Sequence, residues 1–436
     1  MLYVVGPIRI GILGCGRVGS AVVALIKREE NKLARLLKRP LVVSKVAVVN
    51  LNKHRNCDLA GIEVTDDAMA IVNDDSIDVI VECIGKESPS YELVEIALNN
   101  KKPVVTSNKA LLAKHGLSLF ELSASRRVPI GFEASVCGGL PVLKILREGM
   151  LANEIRSVAG IFNATSNLIL SERHEGPNIT TEQVLEKAQA LGLSESDPRI
   201  DITGEDAAYT LTLLARVIFQ IDIEVSQIHF EGIESIQSID IDLSKQLGYS
   251  IKPIGLAFTS GNAIECRVHP ALVKNDHLIA GVKSINKAIW VRGEHIGESL
   301  FTGLGSGGQG TASAILSDIV SILRTNTLFP LMLEQQSLDV LPSSQFQSAY
   351  YLRLKVSDTA GMLAKVSSVF TEYDVSIEAM LQKPNPDEQG LVSLAFVTHV
   401  TKEYQIKEII HNLECLEGIK SKITLIRCFA GTVGFG

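Results

Sequence analysis

The chain has 436 residues, of which 46% are hydrophobic and 21% charged, and this composition predicts a globular protein of two or three domains. The formal net charge of −7 argues against nucleic acid or an anionic membrane as the main partner. No apolar run reaches the ~18 residues that span a bilayer, and the N-terminus predicts no signal peptide because it lacks a basic region. Seven cysteines without a CxxC pair are typical of reduced thiols and predict a cytoplasmic protein.

The first third of the chain alternates short apolar segments with amphipathic ones. In chain order they predict strand IRIGIL, helix SAVVALIKREENKLARLLKR, strands VSKVAVVN and SIDVIVECI, helix SYELVEIALNN, strand KPVVTSN, helix KALLAKHGLSLFELSAS and strand VPIGFEAS. Strands that alternate with helices predict an α/β domain with a Rossmann-type parallel sheet. We assign this domain to residues 1–139.

The rest of the chain predicts two further domains. Residues 140–328 predict a mixed α+β domain, in which the segment 300–328 carries the helix TASAILSDIVSIL that would pack back on the first domain. Residues 329–348 are polar and bounded by prolines, which favours a linker. The order βαββαβ over residues 349–430 predicts a ferredoxin-like domain.

A glycine-rich segment, IGILGCGRVGS, follows the first predicted strand and opens the first helix. Gly14, Gly16 and Gly19 form a GxGxxG pattern in the context that favours dinucleotide binding. Glycines let the backbone approach a pyrophosphate, and the helix N-terminus supplies N–H groups and positive potential. A tight turn between strand and helix without a ligand is the alternative.

The end of the second predicted strand bears on the choice of cofactor. A carboxylate there would bind a ribose 2′-hydroxyl, but this strand ends at Asn50, with Lys53, His54 and Arg55 close behind. Cations without a carboxylate suit a 2′-phosphate, so NADP is slightly favoured over NAD. A solvated loop of charges explains the same pattern.

The segment VVTSNKALLAKHG places Thr106, Asn108 and Lys109 at the carboxyl end of a predicted strand. Ligands of open parallel sheets bind at that edge. A lysine there could orient an anionic group or transfer a proton if burial lowers its pKa. A surface lysine at a helix start is the alternative.

The segment GFEASVCGGLPVLK places Glu133 just before a Gly-Gly-Leu-Pro turn. A carboxylate with turn carbonyls could hold a hard cation. Spacing alone favours a hinge with one exposed glutamate.

The segment AQALGLSESDPRIDITGEDAAYT concentrates acidic side chains, namely Glu195, Asp197, Asp201, Glu205 and Asp206. Such a cluster suits an ammonium group or a general base, and a solvated loop that caps a helix explains it equally well. Asp206 and Thr210 are four residues apart, so they share one face of the predicted helix.

Taken together and in order, the motifs VVTSNK, FEASVCGGLP, GIFNATSNLIL, LGLSESDPRIDITGEDAA and GLGSGGQGTASA are highly specific. With them, nearly the whole chain resembles homoserine dehydrogenase with a C-terminal ACT domain. The resemblance implies NAD- or NADP-dependent interconversion of L-homoserine and L-aspartate 4-semialdehyde, in threonine and methionine biosynthesis. It also implies that residues 140–328 form the catalytic and dimerisation domain and that the protein is a homodimer or a higher homo-oligomer.

The resemblance also implies roles for individual residues. Its implied cofactor contacts are Gly14, Gly16, Arg17, Val18, Gly19, Thr106, Lys109 and Gly305. Its implied substrate residues are Gly192, Glu195, Asp201 and Asp206, with Lys109, Asp206 and Thr210 at the catalytic positions. Its implied ligands for a structural sodium ion are Glu133 and the carbonyl groups of Val136, Gly138 and Leu140.

In the ACT-like region, SDTAGMLAKVSSVF and VSIEAMLQK carry Asp358, Gly361 and Gln382, at positions where the family often binds an amino acid. Threonine is the effector that the resemblance implies. The usual Pro-Gly is Ala360-Gly361 here. A purely dimerising module is the alternative, because pairing of strand edges needs no ligand.

Three further positions depart from the family pattern. The family's acid/base lysine is Thr210 here, a Gly-Gly pair is Gly85-Lys86, and a proline is Gly310. A threonine hydroxyl carries no charge and is a very poor acid at pH 7. Three hypotheses follow, namely a homoserine dehydrogenase in which Lys109 handles the proton, a catalytically weak paralogue that senses amino acid or nucleotide, and a dehydrogenase with a shifted substrate.

Overall fold

The computed structural model describes residues 6–176, 179–190, 198–305, 307–325, 337–384 and 390–429. Packing divides the chain into two compact units. The first unit contains 1–156, 208–227 and 285–337, and the second contains 157–207, 228–284 and 338–436. Within the described residues, no helix combines the length and apolar character needed to cross a membrane.

The N-terminal part of the first unit is a parallel sheet with helices between its strands. Its elements are β1 (Ile8–Leu13), α1 (Arg17–Arg28), α2 (Glu30–Leu37), β2 (Leu41–Ala47), β3 (Glu63–Thr65), α3 (Ala68–Asn73), β4 (Val79–Glu82), α4 (Ser90–Asn99), β5 (Val104–Thr106), α5 (Lys109–Arg126) and β6 (Ile130–Gly131). The strand order is β3-β2-β1-β4-β5-β6, and every pair is parallel. The predicted Rossmann-type fold is therefore confirmed.

Both faces of this sheet are covered, as its apolar strands predict. Ile10, Ile12 and Val81 are completely buried. They share one core with Ala312 and Ile315 of a later helix, α12 (Gly308–Thr325), which belongs to the same unit. The segment that returns to the first sheet is thus part of its core.

Local structure differs from the sequence prediction at three places. The long helix predicted after the glycine loop is two helices that meet at Glu29, where the backbone leaves the helical conformation. Strand β2 ends at Ala47, so Asn50 lies in the following turn and not at the strand end. Helix α3 was not predicted, although Asp67 caps it by accepting the N–H of Ala70 at 2.9 Å.

The middle of the chain contributes to both units. Its elements, before α12, are α6 (Val142–Lys144), β7 (Ile155–Ile161), α7 (Ala164–Glu175), α8 (Thr181–Ala190), α9 (Arg199–Ile202), α10 (Glu205–Phe219), β8 (His229–Phe230), α11 (Ser238–Gln246), β9 (Tyr249–Ser260), β10 (Ala263–Lys274), β11 (Asn286–Gly293) and β12 (Gly297–Leu304). Strands β9 and β10 pair antiparallel along their full lengths, as do β11 and β12. The predicted α+β character is confirmed.

The C-terminal part contains the predicted βαββαβ order. Its elements are β13 (Asp339–Val340), β14 (Gln347–Ser348), β15 (Tyr350–Ser357), α13 (Met362–Glu372), β16 (Ile377–Pro384), β17 (Leu391–Thr398), β18 (Thr401–Lys402), α14 (Glu403–Glu414) and β19 (Thr424–Phe429). The antiparallel order β19-β15-β17-β16 confirms the ferredoxin-like fold. Helices α13 and α14 contribute to its single core.

Strand β19 also pairs in parallel with β10, which extends the ferredoxin-like sheet into the central part of the second unit. The two packing units therefore differ from the predicted domain bounds 1–139, 140–328 and 349–430, and those bounds remain a prediction. Of the predicted linker 329–348, residues 329–336 lie outside the described part. Its strand β13 pairs in parallel with Ala263 and Ile264 of β10.

A buried cation fastens this junction. Arg427, on β19, is 1% exposed and bridges two carboxylates, with hydrogen bonds to Glu403 at 2.8 and 2.7 Å and to Glu231 at 2.8 and 2.9 Å. Although burial alone raises the pKa of the Glu231 carboxyl, its hydrogen bonds with His229 and Arg427 hold that pKa well below its usual range. The three groups are therefore charged at neutral pH.

We expect Arg427→Met to lower the free energy of unfolding by about 3–5 kcal/mol, because the buried Glu403 carboxylate would lose its buried partner and keep only the exposed Lys407. Urea unfolding measures the change. The matched control is Lys283→Met, whose partner Glu175 is 63% exposed, and it should cost less than about 1 kcal/mol. Equal losses in the two variants would contradict the proposed importance of the junction.

Candidate functional site

The glycine-rich loop between β1 and α1 is closely packed against neighbouring backbone. Gly14 has a φ of +94°, and a Cβ there would lie 2.8 Å from the carbonyl oxygen of Cys83. A Cβ on Gly19 would overlap the carbonyl oxygen of Gly14. Gly16 caps α1, and Arg17 and Val18 are its first two residues. Gly14 and Gly19 thus let the loop pack against neighbouring backbone, while a Cβ on Gly16 would have no atom within 4 Å, so Gly16 faces open space at the N-terminus of α1.

A cavity of about 790 Å³ opens beside this loop. It is lined by one side of α1 and the residues just before it, by the loop after β2 and by the start of α12, namely Cys15, Gly16, Arg17, Ser20, Ala21, Ala24, Leu25, Arg28, Lys53, His54, Arg55, Asn56, Gly308, Gln309, Gly310 and Ser313. The cavity has the size of a small-molecule site. Five of its lining residues are basic, and they come from two segments, α1 and the loop after β2.

The loop after β2 is held by its own arginine. Arg55 donates to the carbonyl oxygens of Asn50, Leu51 and Lys53, the last at 2.6 Å. Lys53 and His54 are exposed. Lys53, His54 and Arg55 therefore lie together in one short loop at the cavity wall.

Parallel pairing aligns the last residues of three neighbouring strands. Leu13 of β1 lies opposite Glu82 of β4, and Glu82 lies opposite Thr106 of β5. Glu82 is completely buried and accepts hydrogen bonds from the Thr106 hydroxyl at 2.5 Å, the Ser90 hydroxyl at 2.9 Å and the N–H of Ile84 at 2.8 Å. This carboxylate ties together the segments that follow β4 and β5.

The segment after β5 positions Lys109. Asn108 caps α5 by accepting the N–H of Leu111 at 3.1 Å, and its side-chain amide donates to the carbonyl oxygen of Lys86 at 2.8 Å. The N–H of Asn108 in turn donates to the Thr106 hydroxyl at 2.9 Å. Lys109 is consequently the first residue of α5, at the carboxyl edge of the parallel sheet, as expected for a ligand-binding position.

Glu133 lies in a buried turn after β6. The expectation that this glutamate is exposed is therefore wrong. Its side chain is 3% exposed, and its two oxygens accept the N–H groups of Leu143 at 2.7 Å and Lys144 at 3.0 Å. Burial and the nearby Asp318 carboxylate raise the pKa of Glu133 to about 7. Asp318 accepts the N–H of Glu133 at 2.9 Å and pairs with Lys144 at 3.0 Å.

The turn that follows Glu133 meets the strand end before α12. Gly138 has a φ of +62°, and a Cβ there would lie 2.6 Å from the carbonyl oxygen of Gly305. Val136 is fully buried, while Leu140 is partly exposed. The structure thus brings the predicted cofactor residue Gly305 next to the predicted cation-binding turn.

In the second unit, one amide connects the two predicted substrate carboxylates. The side-chain nitrogen of Asn163 donates to Asp201 at 2.7 Å and to Asp206 at 2.7 Å. Asn163 caps α7 by accepting the N–H of Ser166, and the Ser166 hydroxyl donates to the carbonyl oxygen of Asp201 at 2.7 Å. The arrangement holds two carboxylates close together, which is suited to an ammonium group.

The remaining predicted site residues are placed as follows. Thr210 lies one turn after Asp206 in α10 and is completely buried. Gly192 and Glu195 lie outside the described residues. The predicted effector residues Asp358, Gly361 and Gln382 are exposed, and Gly361 caps α13 with a φ of +86°.

Sequence reasoning missed two buried residues that organise the site. Glu82 ends β4 but was included in a longer predicted strand, SIDVIVECI, so its position at the strand end was not recognised. Asn163 stands in the quoted motif GIFNATSNLIL, four residues before Asn167. The Asx cap at the start of α7 was the available signal for Asn163. Pairing of Glu82 with Thr106 and Ser90 depends on tertiary contacts.

Family models match most of the chain. The model described as "Homoserine dehydrogenase, NAD binding domain" matches residues 14–133, and the model described as "Homoserine dehydrogenase" matches residues 141–320. A model described as "ACT domain" matches residues 350–415.

Individual relatives cover almost the full length. The homoserine dehydrogenase of Pseudomonas aeruginosa is 39% identical over 97% of this chain and 98% of its own length. A solved homoserine dehydrogenase from Thiobacillus denitrificans has a TM-score of 0.89 and 36% identity, covering 97% of this chain and 98% of that one. A hyperthermophilic archaeal homoserine dehydrogenase in complex with NADPH has a TM-score of 0.60 and 25% identity, covering 72% and 97%.

We expect Glu82→Leu to lower the free energy of unfolding by at least about 2 kcal/mol, because it leaves three buried donors without their acceptor. Glu82→Gln keeps an acceptor oxygen and should cost less. Urea unfolding compares both variants with Glu92→Gln, an exposed change on α4, the helix that follows β4. A Glu82→Leu loss no larger than that of Glu92→Gln would contradict the bridging role.

Proposed function

The chain belongs to the homoserine dehydrogenase family, and on that basis we propose that it interconverts L-homoserine and L-aspartate 4-semialdehyde with NAD(P). The reaction serves threonine and methionine biosynthesis. In the oxidative direction the alcohol carbon loses a hydride and the hydroxyl group loses a proton. The observation that carries the proposal is the family match along nearly the whole chain, which includes the glycine loop and the acidic motif.

The residues around the glycine loop fit a dinucleotide. Gly14 and Gly19 let the loop turn tightly, Gly16 faces open space where a pyrophosphate can approach the backbone, and the N-terminus of α1 favours the negative charge. The nicotinamide, when bound, accepts or returns the hydride. We assign Gly14, Gly16, Arg17, Val18, Gly19, Thr106, Lys109 and Gly305 to cofactor binding. Glu82 would fix the strand ends that carry Thr106.

The paired carboxylates fit the ammonium group of homoserine. The Asn163 side-chain amide donates hydrogen bonds to both Asp201 and Asp206. A carboxylate has several lone pairs and can also accept from a cation. Asp206 is 8% exposed, so a charged hydrogen bond there would be little screened by water. We propose that Asp206 binds the substrate, with Asp201, Gly192 and Glu195 contributing.

Proton transfer falls to Lys109 in this proposal. The family's lysine position is occupied by Thr210, whose hydroxyl can donate a hydrogen bond but cannot act as an acid or base at pH 7. Lys109 is the predicted catalytic residue whose side chain carries an amine that can take up or release a proton. We therefore propose that its neutral amine accepts the hydroxyl proton and becomes an ammonium group, with Asp206 and Thr210 in polar supporting roles.

We expect the purified protein to oxidise L-homoserine with NADP, as measured by absorbance of the reduced cofactor. A positioned acid/base group contributes about 10²–10⁴ in rate, so Thr210→Lys should raise kcat by at least about tenfold. Lys109→Met should abolish turnover and should also weaken NADP binding, because Lys109 is assigned to the cofactor as well. Binding of homoserine and cofactor without turnover in the wild type would instead support the sensor.

The matched control is Thr212→Lys, because Thr212 is equally buried in α10 but lies on a different face of the helix. Its hydroxyl donates to the carbonyl oxygen of Ala208 at 2.9 Å. A lysine at 212 should not raise kcat. A gain in both variants would mean that the added charge acts without specific placement.

We propose a preference for NADP over NAD. Lys53, His54 and Arg55 lie together at the cavity wall, and the turn that holds Asn50 offers an amide where a 2′-hydroxyl would need a carboxylate. A 2′-phosphate would place two negative charges beside these cations. The archaeal relative that was solved with NADPH is consistent with this preference.

We expect Lys53→Ala to raise KM for NADP about tenfold, because one charge-assisted hydrogen bond is lost. KM for NAD should change less than about twofold, since NAD lacks the phosphate. Initial rates with each cofactor measure both constants, and Lys32→Ala, an exposed change on α2, is the control. Equal effects on the two cofactors would refute the role of Lys53.

Further features of the proposal follow from family membership. A sodium ion would be bound by Glu133 with the carbonyls of Val136, Gly138 and Leu140, and these oxygens are the hard ligands such a cation prefers. L-threonine would bind the ACT module at Asp358, Gly361 and Gln382, and the protein would be a cytoplasmic homodimer.

Two changes to the homoserine assay test the two ligands. Sodium is replaced by tetramethylammonium in one assay, and threonine is added in the other. Unchanged rates would exclude them.

A further inference from the structure

Two thiols meet beside the proposed cofactor cavity, where Cys15 lines the cavity and Cys57 directly follows the lining residue Asn56. The Sγ atom of Cys15 lies 3.9 Å from the Sγ atom of Cys57. Cys15 stands between Gly14 and Gly16 in the glycine-rich loop, and Cys57 ends the basic loop that contains Lys53. All seven cysteines are free thiols, so this pair is reduced.

The two thiols differ in access to solvent. Cys15 is 8% exposed, and its Sγ lies 3.5 Å from the hydroxyl oxygen of Ser20. Burial raises the pKa of the Cys15 thiol, so it reacts slowly with an external oxidant. Cys57 is partly exposed and is the accessible member of the pair. An accessible thiol beside a second, resolving thiol is the usual arrangement of a redox-sensitive pair.

We propose that Cys15 and Cys57 form a reversible intramolecular disulfide that weakens dinucleotide binding in the cavity. A hydroperoxide oxidises the Cys57 thiol to a sulfenic acid and releases water. The Cys15 thiol then attacks the Cys57 sulfur, forming the S–S bond and releasing a second water. Two thiols lose two electrons in total and hydrogen peroxide is reduced to two waters, while an external dithiol reverses the reaction.

Closure of the disulfide must move the cavity wall. An S–S bond is about 2.05 Å long, so the two sulfurs must approach each other by about 1.9 Å. The glycine loop has little freedom, because Gly14 and Gly19 are already in tight backbone contact. The loop after β2 would therefore move toward it and shift Lys53 and Arg55 within the cavity wall. Because linkage is reciprocal, bound cofactor should in turn oppose disulfide formation.

The experiment separates the disulfide from catalysis. The full-length protein is treated with hydrogen peroxide, with and without NADP, and its disulfides are mapped by mass spectrometry without reduction. NADPH binding is measured by its fluorescence before oxidation, after oxidation and after dithiothreitol. We expect a Cys15–Cys57 bond, an increase in the Kd of NADPH of about tenfold that dithiothreitol reverses, and slower bond formation with NADP present.

Two cysteine variants test whether the response to peroxide depends on Cys57. Cys57→Ser should bind NADPH as the reduced wild type does and should lose the response to peroxide. Cys415→Ser removes an exposed thiol of the ACT module and should keep the response. No bond between Cys15 and Cys57, a bond from Cys15 to Cys83 instead, or an unchanged Kd in the oxidised protein would each overturn the inference. This inference rests on the proposed function in one respect, namely that the cavity is the cofactor site. If the reduced protein failed to bind NADPH, that premise would be contradicted directly.

Discussion

Parallel pairing of β1, β4 and β5 is the constraint on which the cofactor-binding unit depends. It aligns Leu13, Glu82 and Thr106 across three strands, so the segments that follow them leave the sheet at one edge. A buried carboxylate then fixes this edge, since Glu82 accepts from groups on both neighbouring segments. The glycine loop begins where β1 ends, and Lys109 begins α5 shortly after β5 ends. The cavity opens beside the glycine loop, so all three features depend on that alignment.

The second unit depends on a comparable buried charge. Arg427 joins two carboxylates where the ferredoxin-like sheet continues into β10. The Asn163 amide and its two carboxylates lie in this same unit.

Several features of the fold and the candidate site were predictable from sequence, for identifiable reasons. The glycine loop follows a strand and opens a helix, so its pattern is local, and the ferredoxin-like order follows from six segments of clear period. Glu133 was not predictable, because the backbone N–H groups that bury its carboxylate come from α6, ten and eleven residues later. The break between α1 and α2 at Glu29 was also missed, because the helical period continues across it.

The sequence by itself determined the family, the fold of each module and the type of chemistry, because these follow from local patterns and from motifs in a fixed order. It also exposed Thr210 at the position of a family lysine. Only the tertiary structure decided which polar groups are buried together, since Glu82 with Thr106, Asn163 with Asp206 and Cys15 with Cys57 are each joined across long stretches of chain. Such contacts form between segments that are distant in sequence and adjacent in the folded chain, so residue spacing could not predict them.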